Sequence, residues 1–344
     1  MKTRGEQDLP KERPSLVLTM GDPCGVGPEV VLKGLADERL AAAARLVVVG
    51  EEGVLRRTAR EQKLRWPFAG VVRELPAERW EKPLLLAVRE PSEELLPGRI
   101  CAAGGRVAVE AIERGVEICR AGRAAGIVTA PIHKEAISLA GIPEPGHTEM
   151  LARLTGAPRV AMMFWTPDFS VALLSTHLAL AEAIRKVRCK RILEQLVFVE
   201  REWRRLFGRA PRVAVAGLNP HSGEGGRFGV EESLYIRPAV EKAREDGLIV
   251  NGPVPPDSVF AQAKEGRYDL VLALYHDQAT IPVKTCYGRR AVNVTLGLPF
   301  VRTSVDHGTA MDIAGKGIAS EESVVAATLL GARLAAVASA PAAD

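Results

Sequence analysis

The stretch Ser15–Glu29, SLVLTMGDPCGVGPE, decides the class of fold. It opens with a short apolar run that does not alternate with polar residues, as expected for a strand buried on both faces. A glycine-bearing turn follows, with Asp22 at the strand end, Gly25 and Gly27 within the turn, and Pro28 where the first turn of a helix would accept it. Similar runs recur at Leu46–Gly50, Gly126–Ala130, Val171–Ser175, Val213–Gly217 and Asp269–Leu274. Between them, Ala103–Arg120 and Leu178–Trp203 carry helix-forming residues at helical spacing, and Ser323–Val337 reads as a closing helix. Strands alternate with helices, so the pattern predicts an open parallel or mixed sheet covered by helices.

The chain has 344 residues, which points to two packed domains or one large interleaved α/β unit. Apolar residues make up 47% and charged residues 26%, a balance that excludes a disordered chain. Lys plus Arg exceed Asp plus Glu by 46 to 42, too small a surplus for gripping a nucleic-acid backbone. An anionic small molecule remains compatible. Cys24, Cys101, Cys119, Cys189 and Cys286 are spread without a C-x-x-C spacing, which suggests neither a disulfide framework nor a zinc knuckle. The charged N-terminus lacks an apolar run of signal-peptide length and no later run is long enough to span a bilayer, so a cytoplasmic protein without membrane contact is expected.

Three of the six histidines come just past strand candidates: His177 after VALLST, His221 after VAVAGLNP and His276 after LVLALY. Ligands of open α/β sheets bind beyond the carboxyl ends of the strands, so neighbouring strands could aim these imidazoles at one point. Three histidines with open positions are one form of catalytic divalent-metal site, whereas a lone histidine after a strand is more often a hydrogen-bonded structural residue. Asp277 beside His276, and Asn219 and Glu224 around His221, would orient such ligands. Tyr275–Arg302 adds Lys284, Asn293 and Arg302, types that receive phosphate or carboxylate; the alternative is ordinary surface charge. In GHTEML, His147 and Thr148 open a helix whose N-terminus could take an anion, or Thr148 serves only as a cap. The first turn matches neither a Walker A loop nor G-x-G-x-x-G, and a tight structural turn is its simplest reading. Near the C-terminus, Asp306, His307, Gly308, Thr309, Asp312, Gly315 and Gly317 crowd one loop, suited to a backbone passing close to a cofactor or to left-handed turns.

With these residues in view, the sequence resembles the 4-hydroxythreonine-4-phosphate dehydrogenase family of vitamin B6 biosynthesis, over nearly the whole chain. The resemblance rests on GDPCGVGPE (21–29), TAPIHKEA (129–136), GHTEML (146–151), STHL (175–178), GLNPHSGEGG (217–226), YHDQ (275–278) with Lys284, and NVTLGLPFVRTSVDHGTAMDIAGKG (293–317). It implies two α/β/α domains around a mostly parallel sheet, like isocitrate and isopropylmalate dehydrogenases, with the active site in the interdomain cleft at a homodimer interface. The domains are expected at 1–130 with 300–344, and at 131–299, the latter carrying the metal ligands and dimer interface. His177, His221 and His276 fall on the family's metal ligands, the third reaching in from the partner subunit. His147, Thr148, Lys284, Asn293 and Arg302 fall on its substrate positions. Asp306, His307, Gly308, Thr309 and Asp312 are expected at NAD or NADP, because 306–319 is similar to the cofactor loop of isopropylmalate dehydrogenases.

The implied reaction is metal-dependent (zinc, cobalt or magnesium) and NAD(P)-dependent oxidation of 4-phosphohydroxy-L-threonine to 2-amino-3-oxo-4-phosphooxybutanoate. That product decarboxylates to 3-amino-2-oxopropyl phosphate on the way to pyridoxal 5'-phosphate. Asp277, Asp257 and Lys284 are the candidates for catalysis and proton handling. After YHDQ the chain reads ATIPVKT (279–285), closer to sibling dehydrogenases of 4-phospho-D-threonate or 4-phospho-D-erythronate. Acyl or phosphoryl transfer, or a metal- or phosphate-binding module, are competing classes that have no need of the C-terminal glycine loop.

Overall fold

The computed structural model describes residue 10, residues 12–88 and residues 94–340. Within them the chain divides into two compact units, the first taking in the chain up to Val160 and again from Gly297, the second being Ala161–Leu296.

The first unit contains β1 (Ser15–Thr19), α1 (Gly27–Gly34), α2 (Glu38–Ala43), β2 (Arg45–Gly50), α3 (Glu52–Glu61), β3 (Gly70–Val72) and β4 (Leu84–Ala87). It continues with α4 (Ala102–Arg120), β5 (Gly126–Thr129), α5 (Lys134–Leu139) and α6 (His147–Thr155). The second unit follows with β6 (Ala161–Trp165), β7 (Ser170–Leu173), α7 (Leu180–Arg185), α8 (Cys189–Phe207), β8 (Val213–Ala216) and α9 (Arg237–Glu245). Its remaining elements are β9 (Val250–Val254), α10 (Val259–Lys264), β10 (Leu270–Ala273), α11 (His276–Tyr287) and β11 (Val292–Leu296). The chain then returns to the first unit as β12 (Val301–Ser304) and α12 (Glu322–Ala338).

In the first unit the strand order is β3-β4-β2-β1-β5-β12, every neighbour parallel. Helices cover both faces. Successive strand residues point to opposite sides, and Gly115 of α4 lies against Val17 and Ile127 while Gly331 of α12 lies against Leu16, Val128 and Thr303. Two-sided burial explains why these strands read as short apolar runs.

In the second unit the order is β11-β6-β7-β10-β8-β9. The pairs β11-β6 and β6-β7 are antiparallel, and the others are parallel. One face packs Val171, Leu173, Ala214, Ala216, Val271 and Ala273 against Val259 and Ala263 of α10 and Ala279 and Val283 of α11. The alternate residues Ala172, Val215 and Leu272 are also buried.

The α/β class with a mostly parallel sheet is therefore as expected. The first crossing between units falls at Val160 and Ala161 instead of 130 and 131, because α5 and α6 pack on α4 and stay with the first unit. His147 and Thr148 move with them. The expected helix Leu178–Trp203 is two helices, α7 and α8, because Val187 turns inward to full burial and Arg188 is extended (φ −140°, ψ 143°) at the start of α8. Among the described residues, no helix is long and apolar enough to cross a membrane.

Tight packing of α4 on α5 gives a test. A Cβ on Gly105 would sit 2.1 Å from the Ala136 carbonyl oxygen, which is backbone and cannot swing away. Helix propensity alone favours Gly→Ala by about 1 kcal/mol. Gly105→Ala is instead expected to destabilise the protein by about 1–3 kcal/mol, read as a lower urea midpoint; a raised midpoint would contradict this packing.

Candidate active site

The strands β7, β10 and β8 lie side by side and run parallel, so the segments after them emerge at one edge. Those segments carry His177, His276 and His221. The rings of His177 and His276 are neighbours, with centroids 5.8 Å apart and planes inclined at 42°. His276 Nδ1 lies 2.7 Å from Asp277 Oδ1, so the carboxylate engages one ring nitrogen and leaves Nε2 to face elsewhere.

Three buried polar contacts hold these segments together. Gln278 accepts the Leu274 N–H at 2.7 Å through its side-chain oxygen and donates to the Gly217 carbonyl at 2.7 Å, joining the end of β10 to the end of β8. Ser175 Oγ donates to the Leu274 carbonyl at 2.8 Å, joining the end of β7 to that of β10. The segment bearing His221 is unusual, because His221, Ser222 and Glu224 all have positive φ (51°, 55° and 40°). Left-handed backbone costs a non-glycine residue about 1–2 kcal/mol. Glu232, buried at 3% exposure, offsets this by accepting the Leu218 and Asn219 N–H groups at 2.8 and 2.7 Å and the Asn219 side chain at 2.9 Å. Asn219 also donates to Glu231 at 2.8 Å, which holds that carboxyl below its usual range.

A divalent ion ligated by two imidazoles at about 2.0–2.1 Å leaves ring centroids roughly 5–6 Å apart, so the His177–His276 pair fits two coordination positions. The third expected ligand is not beside them. His221 Nδ1 lies 3.9 Å from Asp257 Oδ2, and among the described residues no group of three or more His, Cys, Asp or Glu side chains is placed to hold an ion. One chain thus offers a pair, and the pair includes His276, which the resemblance assigned to a partner subunit.

In the first unit a different chemistry is gathered. Arg302 on β12 is 2% exposed and donates from Nη2 to the Thr129 hydroxyl of β5 at 2.8 Å. Burial pushes its guanidinium down to about 10, with Glu149 opposing, so it stays cationic at neutral pH. Beside it, His147 opens α6, and its imidazole is held well below its ordinary range by burial and by the Arg302 charge. His147 Nε2 is buried without a hydrogen-bond partner. The residue before it, Gly146, provides no side chain to cap the helix, so Thr148 is not the cap. A neutral imidazole, a fixed cation and a helix start suit an incoming anion.

The loop after β12 carries Asp306, His307, Gly308, Thr309 and Asp312. His307 Nδ1 is 2.9 Å from the Gly308 carbonyl, Asp312 and Gly308 are exposed, and a Cβ at Gly308 would meet nothing within 4 Å. Close approach is imposed at Gly315, which packs on Pro97 at a φ of +77°, and not at Gly308. Thr309 is buried against Gly25. In the second unit, Lys284 is exposed in the last turn of α11, and Asn293 on β11 has a buried side-chain oxygen without a partner. Asp257 is exposed. Reading the sequence missed Gln278, Ser175 and Glu232, whose roles depend on contacts between segments far apart in the chain.

An open α/β sheet with an imidazole pair beyond one set of strand ends, and a buried cation on another strand beside an imidazole held below its usual range, defines an enzyme handling an anionic small molecule. The chain belongs to the family described as pyridoxal phosphate biosynthetic protein PdxA, whose profile matches residues 42–331. This is a family of dehydrogenases. A 4-hydroxythreonine-4-phosphate dehydrogenase of Geobacter metallireducens is 42% identical over 343 residues, covering 96% of this chain and 98% of its own. A D-threonate 4-phosphate dehydrogenase of Salmonella typhimurium is 40% identical over 327 residues, covering 94% and 100%. The crystal structure of a 4-hydroxythreonine-4-phosphate dehydrogenase from Klebsiella pneumoniae matches with a TM-score of 0.85 at 40% identity, covering 94% of this chain and 98% of that one. A phosphotransacetylase from Staphylococcus aureus, 14% identical with a TM-score of 0.55, shares the fold alone.

Two expectations follow from the geometry. Gln278→Leu removes the link between the ends of β10 and β8 and is expected to lower metal affinity about 10- to 100-fold, measured by competition with a chelator; unchanged affinity would show that the link is dispensable. Because His147 prefers the neutral form in the fold, its contribution to stability is present above pH 6.5 and fades as pH falls below it. Urea midpoints between about pH 5 and 7 should therefore fall less steeply in His147→Asn than in the parent protein.

Proposed function

We propose that this chain catalyses the metal- and NAD(P)-dependent oxidation of the secondary alcohol of a small 4-phosphorylated hydroxy acid. The observation that carries the reading is the His177–His276 pair, 5.8 Å between ring centroids, beyond the ends of neighbouring parallel strands. A divalent ion there, zinc, cobalt or magnesium, would stabilise negative charge developing on substrate oxygens.

His177, His221 and His276 are the proposed metal-binding residues, and because one chain presents only two of them together, a homodimer completes the site. Asp277, hydrogen-bonded at 2.7 Å, fixes the tautomer of His276, whereas Asp257, 3.9 Å from His221, lies beyond hydrogen-bond distance and acts on it only through its charge. Arg302 and His147, with Thr148, are the proposed anion-binding residues of the first unit, and Lys284 and Asn293 are the proposed substrate-binding residues of the second. A bound nicotinamide would supply the hydride acceptor for this oxidation, and Asp277, Asp257 and Lys284 are the candidates for taking the hydroxyl proton. Asp306, His307, Gly308, Thr309 and Asp312 are the residues that would hold the dinucleotide. The setting is cytoplasmic.

The first substrate we assign is 4-phosphohydroxy-L-threonine, converted to 2-amino-3-oxo-4-phosphooxybutanoate. A β-keto acid of this kind loses carbon dioxide, giving 3-amino-2-oxopropyl phosphate, in pyridoxal 5'-phosphate biosynthesis. A second reading, 4-phospho-D-threonate or 4-phospho-D-erythronate, is favoured by ATIPVKT at 279–285 and by the name of the Salmonella relative. The two differ at the carbon next to the carboxylate, which bears an amino group in one and a hydroxyl in the other.

Initial rates of dinucleotide reduction with the three phosphorylated acids, each with added zinc, cobalt or magnesium, test the proposal. Turnover of the threonine derivative at least about tenfold above the others in kcat/KM supports the first substrate, and the reverse order supports the second. No reduction with any of them, under any metal, would overturn the reading.

A further inference from the structure

The turn 21–28 and helix α1 hold the loop that follows β12. Val26 donates its N–H to the Thr309 carbonyl at 2.9 Å. At Gly25 a Cβ would stand 2.8 Å from that same oxygen and 2.9 Å from Thr309 Cβ, so the approach needs glycine. Glu29, 1% exposed, accepts the Ala319 N–H at 2.8 Å and Lys33 Nζ at 2.7 Å through one oxygen. Its other oxygen accepts Gln62 Nε2 at 3.0 Å and the Gly317 N–H at 3.2 Å. Lys33 Nζ completes the pattern by donating to the Gly317 and Ala319 carbonyls at 2.9 and 2.8 Å.

One carboxylate and one ammonium therefore engage both the N–H and the C=O of Gly317 and Ala319. Across the loop, Gly98 donates to the Cys24 carbonyl at 2.7 Å, and Pro97 backs Gly315. The loop is fixed at Thr309 and again at Gly317–Ala319. Between these points Asp312, Gly315 and Lys316 are exposed. The restraint is needed because Gly315 and Gly317 have positive φ (77° and 72°), a backbone that glycine enters and leaves freely, and Ala310 holds a positive φ (42°) at a steric cost. An ion pair between a buried carboxylate and a half-buried ammonium is a weak source of stability compared with apolar packing, but it fixes hydrogen-bond geometry. Holding a loop in its binding shape beforehand removes ordering cost from the binding step.

We propose that Glu29 and Lys33 are positioning residues for dinucleotide binding, acting through the loop 305–319 without touching the ligand. This rests on the assignment of that loop to the dinucleotide. Its role is distinct from catalysis, since neither side chain is displayed at the surface of the exposed stretch.

The test uses full-length, metal-loaded enzyme and the dinucleotide that it reduces. In Glu29→Gln, trypsin cleavage after Lys316 should quicken several-fold, and the dissociation constant of the reduced dinucleotide, from its fluorescence, should rise about tenfold. KM for the oxidised dinucleotide should rise in parallel, while kcat and metal content stay within about twofold. Gln62→Leu, which removes one donor and keeps the ion pair, should move the same quantities less, and serves if Glu29→Gln does not fold. Unchanged dinucleotide affinity in a variant whose cleavage at Lys316 has quickened would overturn the positioning role. The underlying assignment is tested separately in the parent protein: reduced dinucleotide should protect Lys316 from trypsin, and absence of protection despite measured binding would place the dinucleotide elsewhere.

Discussion

Parallel pairing of β7, β10 and β8 is the constraint on which the rest depends, because parallel strands must all end at the same edge. Three histidine-bearing segments are delivered to that edge by topology alone, before any side chain is chosen. Gln278 and Ser175 then narrow the freedom of these segments by bonding across the strand ends. At the opposite edge the polar groups are neutralised locally: Asp269, 1% exposed, takes hydrogen bonds from Arg209 and Arg212. Among the buried polar atoms without a hydrogen-bond partner are His147 Nε2 and Asn293 Oδ1, on two of the residues proposed for substrate.

Presenting His221 requires a costlier device. Three non-glycine residues in left-handed backbone, Glu232 buried beneath them and Asn219 shared between two carboxylates form a segment that stability alone would not select. Strain of this kind persists where surrounding hydrogen bonds over-determine the shape.

The six apolar runs were legible because burial on both faces leaves no room for polar residues. β11 and β12 were harder to see: Asn293 and Arg302 interrupt their apolar pattern, and Arg302 is buried through contacts made in three dimensions. The histidines could be placed after strands, and the adjacency of the carrying strands makes His177 and His276 neighbours. Nothing local announced that His221 would turn toward Asp257, because its direction comes from Glu232 and the left-handed turn. Likewise Glu29 reads as an acidic residue in a first helical turn, and its bonds to Gly317 and Ala319 span nearly the whole sequence. Boundaries followed the same rule, with α5 and α6 assigned by what they pack on.

Zinc or cobalt titration of purified protein by calorimetry, on the parent and on His177→Ala, His276→Ala and His221→Ala, addresses the metal site most directly. If the imidazole pair anchors the ion and a second copy completes it, the parent binds one ion per chain only as a dimer, and each substitution abolishes tight binding. Tight binding retained in both His177→Ala and His276→Ala would contradict the account.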